Sequence, residues 1–238
     1  MNIIDKLDYS KTDEIALTRQ KTLRILVGFL GVLLPLVLFL FLLIDRGYGK
    51  TLESISHYYY TRASGVFVLT LSLLAIFLIV YKGKKPIDFI LSTTAGVCAL
   101  LVVLFPTSNI SKNSESFPCS VTTLNPNDFR VTLHLISAVI FLLALAAMSL
   151  FLFTKSDVPR QYRTKEKNIR NVFFRICGII MVIAMLLAFL GSYNIIPLPM
   201  FGESLVFWME TIAVESFGFA WLIKAEVFFK DKPKVANK

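Results

Sequence analysis

The sequence holds only three cysteines and two histidines, and neither residue type is spaced to bind anything by itself. There is no CxxC pair, which excludes the local signatures of zinc ribbons and thioredoxin-like redox motifs. Its 11 glycines form no GxGxxG fingerprint and no P-loop, and no nucleophile elbow is present. Cys98 and Cys177 fall within apolar runs, and Cys119 lies in a polar segment without a second cysteine to pair with, so no disulfide framework is expected. Charge is scarce as well. Charged residues make up 17% of the chain against 55% hydrophobic, including 21 Phe, and that balance excludes an ordinary soluble domain.

What is present in abundance is long apolar sequence. Six runs are long enough to cross a hydrocarbon core of about 30 Å at about 1.5 Å per residue. They are Ile25 to Ile44, Ala63 to Tyr81, Ile87 to Phe105, Val131 to Phe153, Val172 to Leu190 and Leu205 to Ile223. The first is too long for a signal-peptide core and follows about 24 polar residues, so it is expected to remain as a span. The expected fold is therefore all-α, a polytopic bundle of six transmembrane helices. It divides into an N-terminal segment 1–24, a membrane domain 25–223 and a basic tail 224–238.

The net charge of +9 is distributed by loop. Twenty of the 25 Lys and Arg lie in the N-terminal segment, in KGKKP, in TKSDVPRQYRTKEKNIRN with the adjacent Arg175, and in the tail. Arg46, Lys50, Arg62, Lys112 and Arg130 make up the rest. By the positive-inside rule both termini are expected to be cytoplasmic, in a bacterial inner membrane. The basic excess is accounted for by topology, so nucleic acid is not an expected partner.

Small residues mark expected helix contacts: Ser92, Gly96 and Ala99 in the third run, and Cys177, Ala184, Ala188 and Gly191 in the fifth. Polar residues gather toward the outer ends of the runs. The stretch SHYYYTRASG (56–65) brings His57, three tyrosines and Arg62 to the start of the second run. Asp128 and Arg130 precede the fourth run, with His134 just inside it. Glu210 and Glu215 enter the sixth, Glu215 to about 15 Å, near the midplane. Their five-residue spacing places the two acids on different helix faces, and Glu215 shares its face with Thr211 and Trp208. The tyrosines suit an aromatic belt at headgroup level. His57, Arg62, Asp128, His134, Glu210 and Glu215 form the candidate polar site, with Arg62 expected to pair with Asp128. Glu215 is expected to face a polar partner inside the bundle.

Residue patterns also carry a resemblance. "ISHYYYTRASGVFV", "LFPTS", "HLISAVIFLLALAAMSLFLF" and "FWMETIAVESFGFAWLIKAE" resemble uncharacterised six-span bacterial membrane proteins of the domain-of-unknown-function kind, over nearly the whole chain. More loosely the chain is similar to DRAM-like and Frag-type membrane proteins, through Phe105, Pro106 and His134. That likeness implies positions and no settled chemistry. The CREST superfamily of membrane hydrolases is a third comparison, and its HxxxH spacing is missing here.

Two function classes follow. One is a sensing or transport-accessory protein that binds a membrane lipid headgroup or small solute and needs no cofactor. The other is a metal-dependent lipid-modifying hydrolase, in which His57, His134 and Asp128 or Glu210 would hold zinc with an open position. Whether the chain is an enzyme stays open at this level.

Overall fold

The computed structural model describes residues 20–81, 86–156, 158–192 and 204–231. The N-terminal segment to residue 19, the lysines of KGKKP, Glu203 and the tail beyond Asp231 lie outside the described residues.

The described chain is all-helical. Its main elements are α1 (Gln20–Arg46), α2 (Ser64–Val80), α3 (Pro86–Leu104), α4 (Asp128–Ala147), α5 (Lys165–Ser192) and α6 (Leu205–Lys224). Five of these, with α4 extended through a π-helical turn to Leu152, are long and apolar enough to cross a membrane. The other, α2, is a shorter apolar helix of 17 residues, about 26 Å long.

Local chemistry explains the boundaries. Pro86 opens α3 where its missing N–H costs nothing. The Asn127 side chain accepts the Arg130 N–H at 2.9 Å and caps α4. Gly47 closes α1 with a φ of 65°, its N–H reaching the Leu43 carbonyl at 2.8 Å. The π turn Met148–Leu152 directs the Ser149 hydroxyl onto the Phe174 carbonyl of α5 at 2.8 Å.

Each helix packs on its sequence neighbour, and α6 closes back on α1, so the bundle is a ring. Closure of the ring depends on glycine. A Cβ at Gly218 of α6 would stand 2.6 Å from the Gly28 carbonyl oxygen and 2.7 Å from the Val32 nitrogen of α1. The α2–α3 hairpin uses the same device, with Gly96 against the Ala75 carbonyl. The starts of α1, α3 and α5 share one end of the ring with the ends of α2, α4 and α6. Arg24, Asp88, Lys167, Tyr81, Phe153 and Lys224 accordingly line one recess there.

At the opposite end the α1–α2 connection folds inward. Its 3-10 helix Ile55–Tyr60 buries Ile55, Ser56, His57, Tyr58 and Tyr60. The expected tyrosine belt is therefore corrected. Tyr58 and Tyr60 are 0% exposed and form part of a plug that closes this end of the ring, while Tyr59 is partly exposed.

Candidate functional site

The plug is held by side chains from three directions. From α6, Glu210 Oε2 accepts the Ile55 N–H at 2.7 Å. From α4, His134 Nδ1 lies 2.8 Å from the Phe105 carbonyl oxygen and 3.2 Å from that of Val102. Carbonyls only accept, so Nδ1 carries the proton and caps the open carbonyls at the end of α3. The bare Nε2 then accepts the Ser56 hydroxyl at 3.1 Å. The third fastening is the Tyr60 hydroxyl, which donates to the Thr107 carbonyl. Loop strands add the Val121 N–H on the Tyr60 carbonyl and the Ser111 N–H on Glu53 Oε1.

His57 sits within this plug. Its Nδ1 is 2.7 Å from the Ser54 hydroxyl, and its Nε2 faces Glu53 Oε2 at 3.5 Å without making a hydrogen bond. Burial, and then repulsion from His134, lower its pKa to about 4, so the imidazole is neutral at pH 7. Burial pushes the phenols of Tyr58 and Tyr60 up. The histidines and tyrosines of the plug are thus uncharged; His134 spends both ring nitrogens on backbone and serine, while His57 Nε2 and the Tyr58 hydroxyl have no hydrogen-bond partner among the described residues.

The remaining expected residues separate. Arg62 is exposed and meets Asp45 at 3.9 Å, where a pairing with Asp128 was expected. Asp128 lies in an exposed recess with Ser108, Asn109 and Arg130. Among the described residues no three His, Cys, Asp or Glu side chains stand close enough to hold a metal. The set His57, His134 and Asp128 or Glu210 therefore does not assemble as a zinc site in this arrangement. Glu210 does meet the plug, and with Ser56 it borders a small, half-open cavity of about 50 Å³.

Glu215 faces elsewhere. It lines a groove of about 550 Å³ between α1 and α6, together with Thr211 and Trp208, the two residues on its own helix face. Leu36, Phe39 and Phe207 form apolar walls beside Pro35, which lies within α1. Leu36 and Trp208 are 49% and 42% exposed, so the groove opens on the flank of the bundle. At the end of the groove nearest the plug, Lys50 and Glu115 form an ion pair beside Thr51 and Ser204. Thr211 Oγ1 is buried with no hydrogen-bond partner among the described residues. The expectation of a polar partner inside the bundle is corrected to a groove that opens outward, in which part-exposed Glu215 lies beside the Thr211 hydroxyl.

Sequence reasoning found Glu215 and its face but missed the opposite wall. Pro35, Lys50 and Glu115 are remote in the chain, and no local pattern ties them to α6. Among known proteins, no family model, no curated protein and no solved structure matches the chain.

Proposed function

We propose that this chain is a six-span protein of the bacterial cytoplasmic membrane that binds a single membrane lipid in the groove between α1 and α6. The observation that carries the reading is the pairing of apolar walls with Glu215 and the unpartnered Thr211 hydroxyl in a groove open to the bilayer. A carboxyl group near mid-membrane costs at least about 2.5 kcal/mol if ionised in lipid, so it calls for a donor. Within the described residues it has none. A lipid bearing a hydroxyl, amide or amine donor along its length supplies one, while its chains cover Leu36, Phe39 and Trp208. Lys50 and Glu115 at the mouth present charges of both signs to its headgroup. The volume lies within the usual range of about 300–1,000 Å³ for ligand clefts.

The role that follows is lipid sensing or accessory handling of lipid, without a chemical step. Full-length protein purified in mild detergent should retain about one lipid per chain, read by native mass spectrometry. Leu36→Trp, placed on an exposed wall, should displace it, and Glu215→Leu should weaken its retention. Equal lipid retention in wild type and Leu36→Trp would overturn the proposal.

A further inference from the structure

The chain leaving α6 makes a turn whose backbone is strained in two places. Glu226 and Phe229, neither of them glycine, have φ of 57° and 55°. Both lie in the left-handed region, where a Cβ crowds the following carbonyl oxygen. Glu226 closes α6 at the position that usually holds glycine. Its N–H reaches the Ile223 carbonyl at 3.0 Å, and the Val227 N–H reaches that of Leu222 at 3.1 Å. Strain of this kind persists only where surrounding contacts fix the conformation.

Those contacts come from α5 and the residue before it. Arg170, 5% exposed, donates to the Phe229 carbonyl at 2.6 Å and to Asp231 at 2.8 Å, with Glu226 at 3.5 Å. The Thr164 hydroxyl donates to the other Asp231 oxygen at 2.6 Å, and Lys167 faces both carboxylates. Arg170 and then Thr164 hold the Asp231 carboxyl below its usual range. The polar side of the turn is thus fastened to the start of α5.

Its other side is apolar and open. Val227, Phe228 and Phe229 are 44%, 46% and 40% exposed. Phe229 stacks on Phe173 of α5, with ring centroids 5.1 Å apart and planes 24° apart. Phe173 lies with Val172 and Ile176 on the exposed flank of α5, a helix long and apolar enough to cross a membrane. Phe229 is therefore level with the first apolar turn of α5, where the charged sequence KEKNIRN has just ended.

We infer that Val227, Phe228 and Phe229 form a wedge that inserts into the phospholipid leaflet at the end of the bundle opposite the plug. Lipid is the occupant because the patch continues the exposed apolar flank of α5 through the Phe173–Phe229 stack. Lys230, exposed beside the patch, suits the headgroup phosphates while its stem lies along the apolar surface. Apolar groups held at such an interface reach about 5–10 Å into the boundary between headgroups and chains. Arg170 is the latch that keeps the strained turn at this depth. The wedge is independent of the lipid proposed for the α1–α6 groove.

Phe228→Trp places a reporter at the tip. It is introduced into Trp208→Phe protein, where the other emitter is Trp221, 0% exposed and subtracted as background. The whole chain is placed in phosphatidylcholine nanodiscs and quenched in three ways: by lipids brominated near the headgroup, by lipids brominated near the chain ends, and by aqueous iodide. The shallow bromines should quench position 228 about twofold or more beyond either alternative. Dominant quenching by iodide or by the deep bromines would overturn the wedge. Quenching by none of the three would also overturn it, and would assign the face to contact with another copy of the chain. Arg170→Gln should shift quenching from the shallow bromines toward iodide, because the strained residues relax once the latch is gone. Should that variant not fold, Asp231→Asn should shift it in the same direction to a smaller extent. Unchanged quenching in whichever variant folds overturns the latch.

Discussion

Glu210 Oε2 accepts the backbone N–H of Ile55 at 2.7 Å, joining residues 155 positions apart and fastening the plug to α6. The bond explains why an acid can lie in the N-terminal half of an apolar helix. The first N–H of a short helical turn is an orphan, and a carboxylate is a strong acceptor for it. Glu210→Leu should lower the unfolding free energy in detergent by about 1–3 kcal/mol, since a buried N–H is left unpaired. Glu210→Gln keeps an acceptor oxygen and should cost less. Equal losses in the two variants would mean that the bond does not matter.

His134 has a comparable structural task. Its ring donates to the end of α3 and accepts from Ser56, so three elements meet at one imidazole. His134→Leu should destabilise the protein by about 2–4 kcal/mol, because carbonyls and a hydroxyl lose their partner together. Thermal unfolding followed by circular dichroism checks this, and a melting temperature equal to wild type would refute it.

His57 should make stability depend on pH. Its pKa falls from 6.5 in the unfolded chain to about 4 in the fold. Between those values the unfolded chain binds a proton that the folded chain refuses, so stability decreases as pH is lowered through that window. Above pH 6.5 the contribution is constant, and the full loss, reached below about 4, is on the order of 3 kcal/mol. Glu53, 3.5 Å away, and His134 are the titratable groups facing it. His57→Asn keeps an acceptor for Ser54 and should flatten the slope between pH 6.5 and 4. A variant with the wild-type slope would remove His57 as its source.

Closure of the ring rests on Gly218. Adding one carbon there brings it within 2.6 Å of the Gly28 carbonyl oxygen, a backbone atom that cannot swing aside. Gly218→Val should force α1 and α6 apart, cost about 1–3 kcal/mol or more, and alter the groove that the two helices share. Lipid retention and melting temperature should fall together. Unchanged values of both would show that the two helices do not approach so closely.

Membrane topology can be read by reporter fusions. With six spans both termini lie on one side, and the distribution of Lys and Arg predicts that this side is cytoplasmic, so a fusion after Lys112 should report the exterior and one after Lys165 the cytoplasm. If the 17-residue α2 does not span, the number of crossings is odd and the termini lie on opposite sides. An exterior signal after Lys165 would invert the arrangement and place the plug inside.

The helices were legible because their cause is local. The runs Ile25 to Ile44 and Leu205 to Ile223 fall within or nearly coincide with α1 and α6, since an apolar segment in lipid must satisfy its backbone within itself. The same periodicity put Glu215, Thr211 and Trp208 on one face before any fold was known. Side-chain partners obey no such local rule. SHYYYTR has the composition of an interfacial anchor, and whether Tyr58 meets headgroups or the bundle core depends on how the α1–α2 connection folds. Arg62 has Asp45 and Asp128 as potential partners, and the course of the chain between the helices brings it to Asp45. Lys167 and Lys224 are 57 residues apart and read in sequence only as topology signals. The sequence by itself determined the helices, the faces of each and the uneven distribution of basic charge. Which faces meet was decided only by tertiary structure, because ring closure through Gly28 and Gly218 is a property of two surfaces and belongs to neither segment alone.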